Sequence, residues 1–356
     1  MEPLEGKRVL VTGGTGSLGK TLVRRISSGE MGNPDSVIVF SRDETKQHYM
    51  RVQWQYHSPV PVTDEIVYRD FQQKLEFRIG DVRCFESVAE AVREADVVFN
   101  AAAMKQVPAC EYAPQEAAQT NIQGAVNICR AIREQNLPVE TVVGISTDKA
   151  CKPVNVMGMT KAIQERVFVQ ANLRSPATRF VCVRYGNVLA SRGSVIPLFH
   201  EQIRRGGPVT LTTRDMTRFL LSLEDAVDTV FAAVREAQPG ETYIPRVPAA
   251  SMENIARALI GDRDIALSVV GIRPGEKVHE VLVSGEEAHR TIERNGWYVI
   301  RPMLAELRPD ASEAPRLTEE YCSRDCVMSF DETAELLGRH GLLVPHELTE
   351  TADILQ

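Results

Sequence analysis

No apolar run in this chain approaches the length that crosses a bilayer, so the sequence offers no transmembrane helix. A long basic run is lacking too. With Lys+Arg 41 against Asp+Glu 48 the net charge is −7, which gives nucleic acid or an anionic membrane surface no electrostatic footing. Any phosphate bound must therefore be held locally. The cysteines, Cys84, Cys110, Cys129, Cys151, Cys182, Cys322 and Cys326, number 7 and are scattered. That pattern suits free thiols in a reducing compartment and provides neither a disulfide framework nor a metal site. Residues 1–7 are polar and acidic and run straight into a strand, leaving no room for a signal peptide. The expected setting is cytoplasmic, without membrane insertion. Internal repeats and low-complexity tracts are also missing. At 356 residues the chain can bury a large core, as two domains or as one with a substantial appendage.

What is present is a recurrence of short β-branched runs at 8–11, 37–40, 75–79, 97–101, 141–145 and 180–183, with helix-like stretches between them. Strands so spaced imply βα units and a doubly wound parallel sheet covered by helices on both faces, the α/β Rossmann class. Residues 161–172 place Ile163, Val167 and Val169 opposite a polar face, as a covering helix does. Beyond Tyr185 the pattern shifts to segments rich in Gly, Pro and Arg, with helical stretches at 223–236 and 252–260. The expected division is a dinucleotide-binding domain over 1–186, receiving parts of 215–245, and a smaller, loop-rich substrate domain over 187–356. Residues 52–74, with Trp54, Tyr56, His57, Pro59 and Pro61, fit neither period and read as an insertion on the surface or at a subunit contact.

The first strand runs into Thr12-Gly13-Gly14-Thr15-Gly16-Ser17-Leu18-Gly19, ahead of a helical stretch at 20–26. Gly13 permits the tight turn, Gly16 lets the backbone approach a pyrophosphate, and Gly19 lets helix pack on strand, while the helix N-terminus supplies N–H donors. Strand, glycines, helix and second strand together give this pattern the context that dinucleotide binding requires. The spacing is that of short-chain dehydrogenases. At the tip of the second strand, Ser41 and Arg42 offer a hydroxyl and a guanidinium where an acidic residue would select NAD, so the expected cofactor is NADP. The plainer alternative pairs Arg42 with Asp43 or Glu44 on the surface. Asp81 with Val82 follows the third strand, where an aspartate commonly meets the adenine amino group. Ala101, Ala102 and Ala103 follow the fourth, small enough to let a cofactor lie close.

Ser146-Thr147-Asp148-Lys149 and, a little further on, Met157 and Lys161 complete the catalytic pattern. In extended short-chain dehydrogenases a hydroxyl residue ends this strand, and a Tyr-x-x-x-Lys helix follows with both side chains on one face. Here Lys161 is in place, and Met157 stands where the tyrosine is expected.

These motifs, with Ser41-Arg42-Asp43-Glu44, Ala103-Met104-Lys105-Gln106-Val107-Pro108, Arg184-Tyr185-Gly186-Asn187-Val188, Ser191-Arg192-Gly193-Ser194-Val195-Ile196-Pro197, Met216-Thr217-Arg218-Phe219 and Arg273-Pro274-Gly275-Glu276-Lys277, resemble the UDP-N-acetylglucosamine 4,6-dehydratases of bacterial polysaccharide and nonulosonic-acid biosynthesis. Met157 is similar to the capsular-polysaccharide and legionaminic branches. Ile244-Pro245-Arg246-Val247-Pro248 is similar to the pseudaminic-acid branch, so the configuration at carbon 5 stays open.

The resemblance implies an NADP site that also draws on Thr15, Ser17, Leu18, Asp43, Lys46, Asn121, Lys161, Tyr185 and Val188. Around the nucleotide sugar it implies Lys105, Thr147, Asp148, Asn187, Arg192, Ser194, Val195, Pro197, Arg218, Arg273 and Glu276. Lys149 is its candidate base for carbon 5 and Asp148 its candidate acid for the departing hydroxyl. That requires Asp148 protonated and Lys149 neutral at the right moment, states that burial beside a nicotinamide favours. Met157 accepts no proton, so Thr147, with Asp148 or a water, is the candidate for deprotonating the carbon-4 hydroxyl. Cys110 is either a second acid or base at carbon 5 or a buried structural thiol. A homo-oligomer is expected. Two other readings stand beside this one: a 4-epimerase or reductase on the same fold, and a catalytically silent NADP-sensing protein.

Overall fold

The structure is a computed structural model and describes residues 2–56, 69–70, 74–189, 194–308 and 314–343. Two compact units share the chain: Met1–Tyr185 with Leu223–Arg246 and Val281–Tyr321, and Gly186–Ser222 with Val247–Glu280 and Cys322–Gln356.

The first unit alternates β1 (Arg8–Thr12), α1 (Ser17–Ser27), β2 (Ser36–Ser41), α2 (Glu44–Tyr56), β3 (Arg69–Asp70), β4 (Leu75–Ile79), α3 (Phe85–Arg93) and β5 (Val97–Asn100). It continues through α4 (Val107–Tyr112), α5 (Pro114–Ala118), α6 (Gly124–Glu134), β6 (Thr141–Thr147), α7 (Val156–Arg174) and β7 (Arg179–Tyr185). The sheet order is β3-β4-β2-β1-β5-β6-β7, extended past β7 by Thr242–Ile244, Trp297–Ile300 and Thr291–Arg294. From β4 to Thr242–Ile244 every pairing is parallel; β3 and the last two strands are antiparallel edges. β1, β2, β5, β6 and β7 are buried along almost their whole length, as strands covered on both faces must be. Phe168 and Phe180 stack beneath α7 in a core shared with α3 and α6, while α1 and Leu223–Glu236 lie together, tied by Arg25 to Asp228 at 2.7 Å. The strand order reverses between β2 and β5 around β1, which opens the crevice where such sheets bind ligands.

Two sequence expectations change. First, helix α2 continues to Tyr56, so 52–56 belongs to a helix rather than an insertion, and β3 and the turn at Lys74 follow it. Residues 57–68, with His57, Pro59 and Pro61, lie outside the described residues. Second, α7 starts at Val156 and does not present a simple polar face. Ile163 is 47% exposed, whereas Lys161, Gln164 and Glu165 are buried. Local periodicity misplaced these polar side chains because Gln164 and Glu165 find partners on β6 and β7, and Lys161 donates in turn to Gln164.

The second unit pairs Thr217–Leu221 in parallel with Asn187–Val188 and antiparallel to Ala249–Ser251; Val209–Leu211 pairs with Leu267–Val269. Helices Val195–Arg204, Met252–Ile260 and Phe330–Arg339 supply its core, with Phe199, Leu220, Ile255 and Leu337 buried. It is therefore more regular than the loop-rich composition suggested. Residues 195–197, read as loop, open a helix.

Candidate active site

The loop from β1 to α1 meets the loop after β5. A Cβ on Gly13 would stand 2.7 Å from the Ala102 nitrogen, and Gly13 has φ +66°, so this position admits only glycine without strain. A Cβ on Gly19 would stand 2.4 Å from the Gly13 oxygen, which is the close helix-to-loop packing that the motif demands. Thr12 Oγ1 donates to Asn100 Oδ1 at 2.8 Å and ties the two strand ends together. Helix α1 opens with no side-chain cap and no acidic residue in its first turn. Its N-terminus is therefore left for an external anion, and the pyrophosphate of a dinucleotide fits that requirement. Thr15 is buried within the same loop.

At the tip of β2, Ser41 is buried and its hydroxyl accepts from Gln47 Nε2 at 3.0 Å. Arg42 is 61% exposed and does not pair with Asp43 or Glu44; it stands 3.9 Å from the Asp81 carboxylate. Asp43 instead accepts from the Lys46 backbone and pairs with Lys46 Nζ at 2.7 Å. Asp81 is held by Arg83 through side chain and backbone. Burial opposes that charge, but Arg83 and Arg42 leave the Asp81 carboxyl below its ordinary range. Asp81 is thus an anion already engaged, and Arg42 is the exposed cation at this edge.

The strand β6 delivers Thr147, and a short 3₁₀ turn, Asp148–Ala150, follows it. Asp148 is fully buried. Its Oδ1 accepts from Thr147 Oγ1 at 2.8 Å and from Lys149 Nζ at 3.1 Å, while Oδ2 is buried with no hydrogen-bond partner among the described residues. An ionised or protonated carboxyl with one satisfied and one orphaned oxygen is costly unless something else uses the second. Helix α7 packs directly on this turn. A Cβ on Gly158 would stand 2.1 Å from the Lys149 oxygen, so glycine there sets the distance between the Thr-Asp-Lys segment and the helix that carries Met157 and Lys161.

The start of α7 is pinned twice: the Asn155 side chain accepts from the Gly158 nitrogen at 2.8 Å, and Glu111 Oε1 accepts from the Val156 nitrogen at 2.7 Å. Lys161 is buried, and its Nζ donates to Gln164 Oε1 at 2.6 Å; Gln164 Nε2 in turn donates to the Ile145 oxygen at 3.1 Å. Burial lowers Lys161 to about 8, against the opposing influence of Cys182 and Glu165. Met157 packs with Cys110 and Ala117 in a small apolar cluster.

Sequence reasoning missed several supporting residues. Gln164 and Glu165 were hidden by the assumption that polar residues of α7 face solvent. Glu165 accepts from Ser146 Oγ at 2.5 Å and pairs with Arg184 at 2.7 Å, and Arg184 also pairs with Glu287 at 2.8 Å. Burial works against the Glu287 carboxylate, yet Arg184 holds it at about 2. Asn121 lies in a π-helical turn, Gln119–Gln123, and brackets the backbone of Met104: Oδ1 accepts from its nitrogen and Nδ2 donates to its oxygen. Asn121 Nδ2 also reaches Thr160 at 2.9 Å. It therefore shapes the segment that precedes Lys105. Cys110 is fully buried, its thiol directed at the Met104 oxygen, and burial together with Glu111 raises it. The thiol thus packs in the cluster with Met157 and Ala117, and Glu111 accepts from the first backbone nitrogen of α7. Tyr185 and Val82 are buried, and burial pushes the Tyr185 hydroxyl up.

In the second unit, Asn187 Oδ1 and Ser194 Oγ are buried without hydrogen-bond partners among the described residues. Val195 and Pro197 open the helix that follows Ser194. Arg273 is 58% exposed and 3.8 Å from Glu276, which also accepts from Thr212. Arg218 differs from expectation: its guanidinium donates to the carbonyls of Thr217, Lys277 and Val278. It braces the 273–280 segment rather than pointing a fork outward. Arg192 lies outside the described residues. Among the described residues no helix is long and apolar enough to cross a membrane, and no cluster suits a metal ion.

Sheet order, glycine loop and the Thr-Asp-Lys turn over a buried lysine define a nucleotide-sugar-modifying enzyme of the extended short-chain dehydrogenase class. The chain belongs to the polysaccharide biosynthesis protein family, whose model matches residues 9–302. It is 40% identical over 343 residues to a UDP-glucose 4-epimerase of Rickettsia conorii (strain ATCC VR-613 / Malish 7), covering 93% of this chain and 95% of that one. It is likewise 40% identical over 302 residues, 84% of each chain, to a UDP-N-acetylglucosamine 4,6-dehydratase (inverting) of Campylobacter jejuni. Among solved structures, Pen from Bacillus thuringiensis superposes with a TM-score of 0.84 at 32% identity, covering 96% of this chain and 99% of that chain. DesIV, a dTDP-glucose 4,6-dehydratase from Streptomyces venezuelae solved with NAD bound, shares the fold at a TM-score of 0.63 and 20% identity, over 76% and 86% of the two chains.

Proposed function

We propose that this protein is an NADP-dependent 4,6-dehydratase of a UDP-N-acetylhexosamine, UDP-N-acetylglucosamine first among them, with inversion at carbon 5. Its product, a 4-keto-6-deoxy sugar nucleotide, would serve cell-surface polysaccharide or nonulosonic-acid biosynthesis. The observation that carries the reading is the Thr147–Asp148–Lys149 set, in which the buried Asp148 carboxyl is hydrogen-bonded to both half-buried neighbours, on a turn packed against the helix that carries Lys161. A 4-epimerase has no use for a base at carbon 5 and an acid at carbon 6. A dehydratase needs both. The inverting Campylobacter relative supports the stereochemical part.

A bound nicotinamide supplies a reversible hydride acceptor, taking hydride from carbon 4 and returning it to carbon 6. The protein's residues then handle every proton. Thr147 passes the carbon-4 hydroxyl proton to Asp148, whose partnerless Oδ2 is a ready acceptor. With carbon 4 a ketone, Lys149 removes the acidified carbon-5 proton, and Asp148 returns its proton to the carbon-6 hydroxyl, which leaves as water. A proton delivered to carbon 5 completes the turnover, and delivery on the opposite face inverts that centre. Lys161, with its depressed pKa and its link to Gln164, holds the nicotinamide ribose, and Arg42 meets the 2′-phosphate of NADP. Asn187, Ser194, Arg273 and Glu276 provide for the nucleotide sugar.

The Rickettsia relatives named UDP-glucose 4-epimerase favour a second reading, interconversion at carbon 4 alone. One experiment separates them. Purified protein is incubated with UDP-N-acetylglucosamine in deuterated water and followed by NMR. A 4-keto-6-deoxy product with deuterium at carbon 5 is the expected result. A carbon-4 epimer retaining its 6-hydroxyl would establish the second reading, and no turnover with bound NADP would sink both.

A further inference from the structure

The turn after β4 sets Asp81 between two arginines at the edge of the proposed cofactor site, and the two hold it unequally. Asp81 Oδ1 accepts from the Arg83 backbone nitrogen at 3.0 Å, while Oδ2 accepts from Arg83 Nε at 2.9 Å and Nη2 at 2.7 Å. A carboxylate oxygen offers about two lone-pair directions, so one edge of the Arg83 guanidinium fills Oδ2. Arg42 Nη1 stands 3.9 Å from that same oxygen, outside hydrogen-bond reach. The carboxylate next to Arg42 in the chain, Asp43, is taken by Lys46 at 2.7 Å. Arg83 is itself held from two further sides. Its Nη1 donates to Glu116 on α5, and the buried Asn127 of α6 donates to the backbone oxygens of Val82 and Arg83 at 2.9 Å and 3.1 Å. The Arg83 fork therefore faces Asp81 in a fixed orientation, whereas Arg42 reaches out into solvent.

We propose that Arg83 is a specificity-determining residue for the 2′-phosphate of NADP and acts through Asp81: by filling Oδ2 it keeps the Asp81 carboxylate from capturing Arg42, and it cancels a negative charge beside the phosphate. The inference rests on the reading of Arg42 as the residue that meets that phosphate. Without Arg83, Oδ2 would stand open with a guanidinium 3.9 Å away, and a small side-chain movement would close the pair. Arg42 would then reach a phosphate only by giving up a charged partner, and the phosphate would approach an uncancelled carboxylate. NAD carries no phosphate at this position and would lose little affinity, so the effect falls on the difference between the two cofactors.

The test is calorimetric titration of NADP+ and of NAD+ into the full-length protein without substrate, so that binding alone is read. Arg83→Met should lower the ratio of NADP+ to NAD+ affinity at least about tenfold, the worth of one hydrogen bond to a charged group. The Arg83 side chain is 31% exposed, so the variant should fold. Arg83→Gln, which keeps a donor and loses the charge, carries the same expectation should the methionine variant be unstable. An arginine that only shapes the turn would weaken both dinucleotides together, so an unchanged ratio in the folded variants overturns the proposal. Adding Asp81→Asn to Arg83→Met should restore the ratio. A ratio that stays low in the double variant means that Arg83 touches the phosphate directly, and the route through Asp81 falls. The wild type separates the inference from its premise: a preference for NADP+ with unchanged variants sinks the inference alone, whereas equal affinity for the two cofactors sinks the reading of Arg42 as well.

Discussion

Lys161→Met gives a sharp test of the electrostatics at the centre of the site. Methionine keeps the aliphatic stem and removes the charge. In the folded protein Lys161 is buried with one good partner, Gln164 Oε1 at 2.6 Å, and burial brings its pKa from 10.5 to about 8. Between those two values the unfolded chain binds a proton that the folded chain does not, so deprotonation favours folding as the pH climbs through this window. Below about pH 8 the cost of burying the cation is fully present; above about 10.5 it is gone. The shift corresponds to about 3 kcal/mol. Against this, the variant strands Gln164 Oε1, a cost of about 1–3 kcal/mol that does not depend on pH. Urea unfolding of wild type and variant, without cofactor, at several pH values from 7 to 11 separates the two contributions. The stability of the variant relative to wild type should fall by about 3 kcal/mol across that range. Comparing the pair cancels the opposing titration of Cys129, whose thiol burial raises, and a Cys182→Ala background removes that of Cys182, which is coupled to Lys161. A difference that stays flat from pH 7 to 11 would refute the account of a desolvated lysine.

Gly158→Ala forces a methyl group against the Lys149 oxygen and should cost about 1–3 kcal/mol by chemical denaturation, with kcat reduced because the Asp148–Ala150 turn must shift. Glu165→Gln leaves Arg184 with only Glu287 as a full counter-charge and should lower stability by about 3 kcal/mol, the cost of breaking a buried pair. Asp148→Asn preserves shape but cannot shuttle a proton; kcat should drop roughly a hundredfold to ten-thousandfold while NADP binding, read by fluorescence, is kept. Arg42→Ala should weaken NADP about ten- to a hundredfold and leave NAD affinity nearly unchanged in a direct titration; equal loss for both cofactors would remove Arg42 from the 2′-phosphate.

The parallel sheet was legible because its strands are buried on both faces and so read as continuous apolar runs, and the glycine loop because Gly13 and Gly19 answer to backbone contacts that only glycine allows. Two helices, Leu223–Glu236 and Met252–Ile260, coincide with the stretches read from apolar period. The period failed at α7, and the failure has a physical cause. Periodicity assigns each polar side chain to water, but the buried faces of α7 carry Gln164, Glu165 and Asn172, each bonded to a group on another strand, and Lys161, which donates to Gln164. No local window contains Arg184, Glu287 or the Ile145 carbonyl together with their partners. The second unit was misjudged for a related reason: glycine and proline mark where the chain turns, and say little about how short strands such as Asn187–Val188 and Thr217–Leu221 then pair.

Met157 is where the two kinds of information meet. In sequence it looks like a loss, a tyrosine position that can no longer move a proton. In the structure it is part of an apolar cluster with Cys110 and Ala117, and the polar work beside it is distributed differently. The lysine one turn on is held by Gln164 rather than by a phenol, and the turn after β6 presents a buried carboxyl with an oxygen to spare. A decayed site would have no reason to keep a glycine at 158 to set that turn against the helix, nor a buried Glu165–Arg184–Glu287 chain to hold Ser146 two residues before it. Each of these is costly to maintain and serves no core better than an apolar residue would. On the proposed function, proton handling belongs to the strand end, where Thr147, Asp148 and Lys149 stand in sequence and in hydrogen-bond contact.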